Sequence, residues 1–142
     1  MRVLKFVVLA AVLVGGFVLV TRWPHLNDVE TGRTPEYPDL KARDYGANEE
    51  AVSKAAKAAI EGLPRWTFVG AGRGPGGSEI RAVATTRVMR FKDDVTVKVK
   101  REGGRTHVSV RSASRVGKWD FGQNARNIRE FLAELDHRMF LP

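Results

Sequence analysis

The sequence of 142 residues contains no cysteine. This absence excludes disulfide frameworks, thiolate zinc sites, cysteine nucleophiles and lipid attachment through an N-terminal cysteine. Acidic residues are also scarce, with 16 Asp and Glu against 24 Lys and Arg, which gives a formal net charge of +8. Such a balance favours an acidic partner (anionic lipid, nucleic acid or a cell-wall polyanion), although basic domains without a charged partner also occur.

The stretch Phe6 to Thr21 contains no charged residue. Arg2 and Lys5 precede this stretch, and Arg22 and Trp23 follow it. As a helix, Phe6 to Trp23 would span roughly 27 Å, close to the thickness of a thin hydrocarbon core. No small-x-small cleavage site follows, which favours an uncleaved anchor over a signal peptide. We therefore expect residues 1–23 to form one transmembrane helix of the inner (cytoplasmic) membrane. Trp23 would lie at the interface, and the domain would face the periplasm or the cell exterior.

Residues 24–38 hold three of the six prolines and show no periodic apolar pattern. They predict an extended linker, and residues 39–142 then form the folded domain. Within that domain, a short extended segment runs from Leu40 to Tyr45. A helix capped by Asn48 follows, with apolar residues on one face up to Leu63.

Four further strands are predicted, over Trp66 to Val69, Glu79 to Phe91, Asp94 to Lys100, and after the Gly103-Gly104 turn. If Glu102 pairs with Arg105, then Val99 lies opposite Val108, Val97 opposite Val110, and Asp93 opposite Ser114. One face of this hairpin is apolar and the other is polar and basic, as in an antiparallel sheet that is covered on one side.

The last helix is predicted from Phe121 to about Met139, with Asp120 and Gln123 in the positions of a capping box. The order is therefore β-α-β-β-β-β-α. It predicts a two-layer α+β domain in which both helices cover one face of a four- to five-stranded antiparallel sheet. By element order alone, this resembles the TBP-like or helix-grip arrangement.

No cofactor or metal site is predicted. Gly72, Gly74 and Gly77 have the spacing of a dinucleotide-binding turn, but a strand follows them instead of the helix that such a turn must open. No cluster of metal-ligating residue types has a spacing that would place it on one helix face.

Three blocks of the sequence carry a family resemblance: Leu26 to Thr31, Arg90 to Val95, and Val110 to Gly117 followed by Asp120 to Arg126. They resemble the family catalogued as domain of unknown function 1499, over residues 26 to about 138. The resemblance implies a protein of bacterial envelopes or plastids behind a signal or membrane segment. It implies no activity, because none is established for the family, and a cysteine-containing motif of some members is absent here.

The densest polar and basic residues lie where the last strand crosses into the last helix. On the open face, Arg111 and Arg115 are predicted to surround Asp94, with Lys98 nearby, as a site for an anion. On the helix side, Asp93 is expected to accept backbone N–H groups of Val116 to Lys118 and to hold the turn. The structural network predicted there comprises Asp93, Ser112, Ser114, Asp120 and Asn124.

These features predict a membrane-anchored domain that binds an anionic ligand, a lipid headgroup or a partner protein without catalysis. The alternative is a hydrolase of an envelope substrate, but no histidine lies near Ser112 or Ser114 in the predicted register. Nucleic-acid binding is the least favoured function, because the basic face lacks aromatic residues for stacking. The oligomeric state stays open.

Overall fold

A computed structural model describes residues 1–22 and 24–140 of the protein. In these residues the chain forms three helices and six strands. In chain order they are α1 (Arg2–Arg22), β1 (Asp28–Glu30), β2 (Arg43–Tyr45), α2 (Glu49–Gly62), β3 (Trp66–Gly74), β4 (Gly77–Thr85), β5 (Lys92–Glu102), β6 (Arg105–Ser114) and α3 (Gln123–Phe140).

Helix α1 occupies the segment for which a transmembrane anchor is predicted. Within the described residues, no helix combines the length and the apolar character needed to cross a membrane. This finding contradicts the predicted anchor and the single-pass inner-membrane location that depended on it. The physical reason is length, because the uncharged run between Lys5 and Arg22 reaches only about 24 Å as a helix against a hydrocarbon core of about 30 Å. Trp23, the predicted interface residue, lies outside the described residues.

Helix α2 begins where the sequence predicts it. The Asn48 side chain accepts a hydrogen bond from the Ala51 N–H at 2.8 Å, and Glu49 and Glu50 lie at the positive end of the helix. Its buried face carries Val52, Ala56, Ala59 and Ile60.

All strand pairs are antiparallel, in the order β1-β6-β5-β4-β3, and β2 pairs with the same edge of β6 as β1. The predicted hairpin register is confirmed: Val99 pairs with Val108, Val97 with Val110, and Asp93 with Ser114. The α+β class and the antiparallel sheet are correct, but the sheet has six strands instead of four to five.

The additional strand is β1, which lies in the segment predicted as a linker. Asp28 pairs with Ala113 and Glu30 with Arg111, whereas Val29 between them is fully buried. A strand with a single inward-facing apolar residue has no periodic pattern, so sequence periodicity cannot reveal it. Its pairing places two acidic residues beside the basic face of β6.

The core fills the space between the sheet and the two later helices. The buried sheet residues include Val95, Val97, Val99, Val108 and Val110. Helices α2 and α3 both pack on this face, and α3 contributes a stacked contact between Phe131 and Trp66 at 6.1 Å. Among the described residues, α2 and α3 lie on this one face of the sheet, as predicted.

The strand predicted over Glu79 to Phe91 is shorter than expected, because β4 ends at Thr85. Residues 86–91 form a loop instead, which we call the β4–β5 loop. It is closed by hydrogen bonds from the Thr86 N–H to the Phe91 carbonyl (2.8 Å) and from the Phe91 N–H to the Thr86 hydroxyl (2.9 Å). Arg90 adopts a left-handed φ of 57°, which turns the chain back into β5.

Replacing Val97 with Asp tests the inward orientation of the β5 valines. Val97 is fully buried, so the variant places an unpaired charge under the helices and should lose about 3 kcal/mol or more of unfolding free energy in urea denaturation. The adjacent Lys98→Asp, on the open face, should lose less than about 1 kcal/mol. Equal losses would show that these two side chains do not point to opposite faces.

Candidate functional site

A cleft of about 580 Å³ lies between the β4–β5 loop and residues 115–122, which we call the β6–α3 loop. Both loops leave the same end of the sheet, because Thr85 pairs with Lys92 and Asp93 with Ser114. We call this space the loop cleft. Its walls are apolar side chains that face solvent, namely Val88, Met89 and Phe91 on one loop and Val116, Trp119 and Phe121 on the other.

The apolar side chains that form the walls of the loop cleft are highly exposed to solvent. Val88 is 85% exposed, Met89 65% and Phe121 53%. After residue 22, the other exposed large apolar side chains among the described residues are Val69 and Phe140. Apolar surface concentrated in this way is typical of a binding site, whereas single exposed apolar residues are ordinary.

The β6–α3 loop is held by the segment that precedes β1. The His25 ring stacks on Trp119 with centroids 4.1 Å apart, and Trp119 meets Phe121 edge-on at 6.2 Å. The Asn27 side-chain amide donates to the Gly117 carbonyl at 2.8 Å. The aromatic wall of the loop cleft is therefore fixed by residues outside the loop.

Asp120 caps helix α3. Its two carboxylate oxygens accept the N–H groups of Gly122 and Asn124, each at 2.8 Å. The helix begins at Gln123, two residues later than predicted, because Phe121 has a left-handed φ of 50°. The Gln123 amide donates to Asn127 at 2.8 Å, so its side chain does not complete the predicted capping box.

A buried polar network lies beneath the loop cleft and joins β5, β6 and α3. The Ser112 hydroxyl donates to the Asn124 side-chain oxygen at 2.6 Å, and the Asn124 amide donates to the Ser114 hydroxyl at 2.8 Å. The Asn127 amide donates to the Asp93 carboxylate at 2.8 Å. We call these five residues the buried network. Asp93, Ser112, Ser114 and Asn124 thus lie together with Asp120 beside them.

Asn127 was missed by sequence reasoning. It lies three residues after Asn124 and therefore on the same side of the helix, a spacing that could have identified it. It also replaces the partner expected for Asp93, which accepts the Asn127 amide rather than backbone N–H groups of Val116 to Lys118.

Burial raises the pKa of the Asp93 carboxyl above its ordinary value. Hydrogen bonds from Asn127 and Ser114 oppose this shift, and the nearby charges of Asp120 and Asp94 add to it. Asp93 lines the loop cleft although its residue surface is almost fully buried. An acid that resists ionisation therefore forms part of the polar floor of the cleft.

On the open sheet face, the predicted pair of arginines around Asp94 is separated. Arg115 binds Asp94 with two nitrogens, its Nε at 3.0 Å and its Nη2 at 2.7 Å, and this contact lowers the pKa of Asp94. Arg111 instead binds Asp28 of β1, with its Nε 2.9 Å from the carboxylate. Both guanidinium groups are thus already paired with a carboxylate.

Lys98, the fourth residue of the predicted anion site, lies between Glu79 on β4 and Ser109 on β6. The open face therefore carries acidic as well as basic side chains. This differs from the basic face that the sequence suggested, because β1 adds Asp28 and Glu30 to it.

Two arginines line the loop cleft. Arg87 comes from the β4–β5 loop and Arg126 from the first turns of α3. The Arg126 guanidinium donates to the Phe121 carbonyl at 2.9 Å and to the Gln123 side chain at 3.1 Å. In the part of the chain that the structure describes, neither arginine forms an ion pair with a carboxylate. Both charges are available to an anion.

No group of three His, Asp or Glu side chains is placed to hold a metal ion within residues 1–22 and 24–140. The polar groups of the loop cleft are two carboxyls, hydroxyls, a side-chain amide and guanidinium groups. They can bind an anion or exchange hydrogen bonds with a ligand.

Fold and site together define a two-layer α+β domain with an apolar cleft above a buried polar network. Residues 19–135 match the family described as "Protein of unknown function (DUF1499)", and the chain belongs to this family. The resemblance seen in the sequence is thereby confirmed.

No curated protein matches the chain. Among solved structures, the crystal structure of TTHA0849 from Thermus thermophilus is similar, with 15% sequence identity and a TM-score of 0.40. The similarity covers 79% of this chain and 96% of that chain.

Asp93 and Asp94 should respond to pH in opposite ways. Asp93 has a raised folded-state pKa, so its stabilising contribution is present below the unfolded value near 3.8 and is lost as pH rises through the folded pKa. Asp94 has a lowered pKa, so its contribution is present above 3.8 and is lost as pH falls through the folded pKa.

Urea denaturation of the wild type, Asp93→Asn and Asp94→Asn across acidic to neutral pH measures both effects. From neutral pH towards 3.8, the wild type should gain stability relative to Asp93→Asn. Relative to Asp94→Asn it should lose stability once pH falls below 3.8. A stability difference between the wild type and Asp93→Asn that does not change with pH would contradict the raised pKa.

Proposed function

We propose that this domain binds a small amphipathic anion in the loop cleft, without catalysis. The observation that supports this most directly is the combination of exposed apolar walls with two arginines that have no carboxylate partner among the described residues. An apolar body would lie between the two loops, and an anionic group would contact the guanidinium groups.

The apolar walls favour a ligand with an apolar part. A volume of about 580 Å³ falls in the range of pockets that hold small molecules. Each square ångström of apolar surface removed from water contributes roughly 25 cal/mol, so covering side chains as exposed as Val88 and Phe121 favours binding. Trp119 and Phe121 offer large faces at low entropic cost because other contacts already hold them.

The arginines favour an anionic group. A guanidinium binds a carboxylate or phosphate through two parallel hydrogen bonds. On the open sheet face, a ligand would first have to displace Asp28 from Arg111 or Asp94 from Arg115. In the loop cleft, Arg87 and Arg126 require no such exchange. The cleft is therefore a better candidate than the predicted site of Arg111, Arg115, Asp94 and Lys98.

The hydrogen bonds of the cleft residues support binding without catalysis. A nucleophilic serine needs a free general base. Ser112 donates to the Asn124 side-chain oxygen, and the carboxyl that Ser114 meets, Asp93, is buried and already accepts the Asn127 amide. Asp120 has both carboxylate oxygens engaged by backbone N–H groups of the helix cap. Their hydrogen bonds serve the buried network and the helix cap, which supports binding over hydrolysis.

Binding of 8-anilinonaphthalene-1-sulfonate, an amphipathic anion that fluoresces in apolar sites, tests this proposal. In the full chain, Val116→Asp places a carboxylate on the wall of the loop cleft and should weaken binding by about tenfold or more. The matched control is Val69→Asp, which introduces the same charge at an exposed position of β3, outside the cleft.

Val69→Asp should bind the probe as the wild type does, and circular dichroism should show that both variants are folded. Arg87→Ala should also weaken binding, because it removes a cation from the cleft. Equal affinities for wild type, Val116→Asp and Arg87→Ala would show that the loop cleft is not the site.

A further inference from the structure

The tips of the two loops carry basic residues as well as apolar ones. Residues 86–92 and 115–119 contain five basic residues and no acidic residue. Arg115 is neutralised by Asp94. Arg87, Arg90, Lys92 and Lys118 are exposed and, among the described residues, form no ion pair. One end of the domain therefore presents an uncompensated positive field.

The acidic residues at this end do not cancel that field. Asp93 and Asp120 are buried, and the pKa of Asp93 is raised. Asp94 is the carboxylate that neutralises Arg115. The open sheet face differs, because Asp28 and Glu30 are interleaved with its basic residues. The positive charge that no acidic residue compensates therefore lies at the tips of the two loops.

Apolar side chains project among these cations. Val88 is 85% exposed and Met89 65%, and both lie between Arg87 and Arg90 in the sequence. On the other loop, Trp119 follows Lys118 and is 46% exposed. Apolar side chains, an exposed tryptophan and neighbouring lysines and arginines are the combination by which proteins attach to the surface of anionic bilayers.

We propose that the tips of the β4–β5 and β6–α3 loops form a surface that docks onto an anionic lipid bilayer. This inference rests on the proposed function in one respect, since the amphipathic anion of the loop cleft would then be a lipid of that bilayer. The attachment is interfacial: Val88, Met89 and Trp119 enter the headgroup region, and the surrounding cations contact lipid phosphates.

A bilayer fits this surface better than an acidic protein does. The free cations come from two separate loops and the start of β5, on both sides of the cleft. A uniformly anionic plane meets all of them at once, whereas a protein would need an acidic residue at each matching position. The highly exposed Val88 side chain also suits insertion into a fluid headgroup layer.

Cosedimentation of the full chain with vesicles tests the surface. Vesicles of phosphatidylcholine alone are compared with vesicles of equimolar phosphatidylcholine and phosphatidylglycerol. The charge variant is Arg87→Glu with Lys118→Glu, one change on each loop. Its matched control is Arg81→Glu with Lys98→Glu, the same change in charge on the open sheet face. The insertion variant is Val88→Asp, with Val69→Asp as its control.

The wild type should partition onto the phosphatidylglycerol vesicles in preference to phosphatidylcholine, and less so at high salt. Each basic residue near such a surface changes partitioning roughly fivefold, so the loop charge variant should lose about twentyfold or more. Val88→Asp should also reduce partitioning, and both control variants should behave as the wild type. Tryptophan fluorescence of the full chain should shift to shorter wavelength on binding, and this shift should be smaller in Trp119→Phe, as expected for insertion of Trp119.

The proposal is overturned if the loop variants and their controls partition equally, or if phosphatidylglycerol gives no preference. In the latter case the surface would be one for an acidic protein. Binding of 8-anilinonaphthalene-1-sulfonate in solution separates the two proposals. Retained probe binding without vesicle docking removes only the bilayer, whereas loss of specific probe binding removes the ligand site itself.

Discussion

The buried network imposes the constraint on which the rest of the domain depends. Polar side chains enclosed between a sheet and a helix destabilise the fold unless each has a hydrogen-bond partner, and the low local dielectric makes an unpaired group especially costly. Here Asn124 and Asn127 of α3 must meet Asp93, Ser112 and Ser114 of the sheet. This requirement fixes the position of α3 along β6, and with it the point at which the helix begins.

The position of α3 determines the shape of the loop cleft. Because Asp120 caps the helix and Phe121 takes a left-handed conformation, the loop turns sharply and leaves its aromatic rings facing solvent. His25 then stacks on Trp119, so the segment before β1 supports one wall of the cleft. The other wall comes from the β4–β5 loop, which its own hydrogen bonds close. A structural network and a proposed binding site therefore share one end of the sheet.

The features that depend on the alternation of apolar residues and on the residue types of a turn were predicted correctly from the sequence. The valines of β5 and β6, with the Gly103-Gly104 turn, are sufficient to derive the hairpin register and to place Asp93 on the helix side. Strand β1 could not be predicted, because its single inward-facing residue Val29 produces no alternating pattern. The acidic partner of Arg111 was missed for this reason.

The loop cleft could not be predicted for a related reason. Residues 86–91 contain apolar residues typical of strands, but the contacts of Thr86 and the left-handed conformation of Arg90 make them a loop. The prediction that α1 crosses a membrane was wrong because the uncharged run in this segment is too short.

In the proposed function, ligands enter the loop cleft rather than the open sheet face. Titration of the ¹⁵N-labelled full chain with a short-chain anionic amphiphile, below its micelle concentration, tests it residue by residue. Amide shifts are expected to change in residues 86–91 and 115–123 and to saturate with a common dissociation constant. The amides of Thr96, Lys98, Ser109 and Arg111 should stay unchanged. Shift changes centred on those four residues, with the loops unaffected, would contradict the account and return the site to the open sheet face.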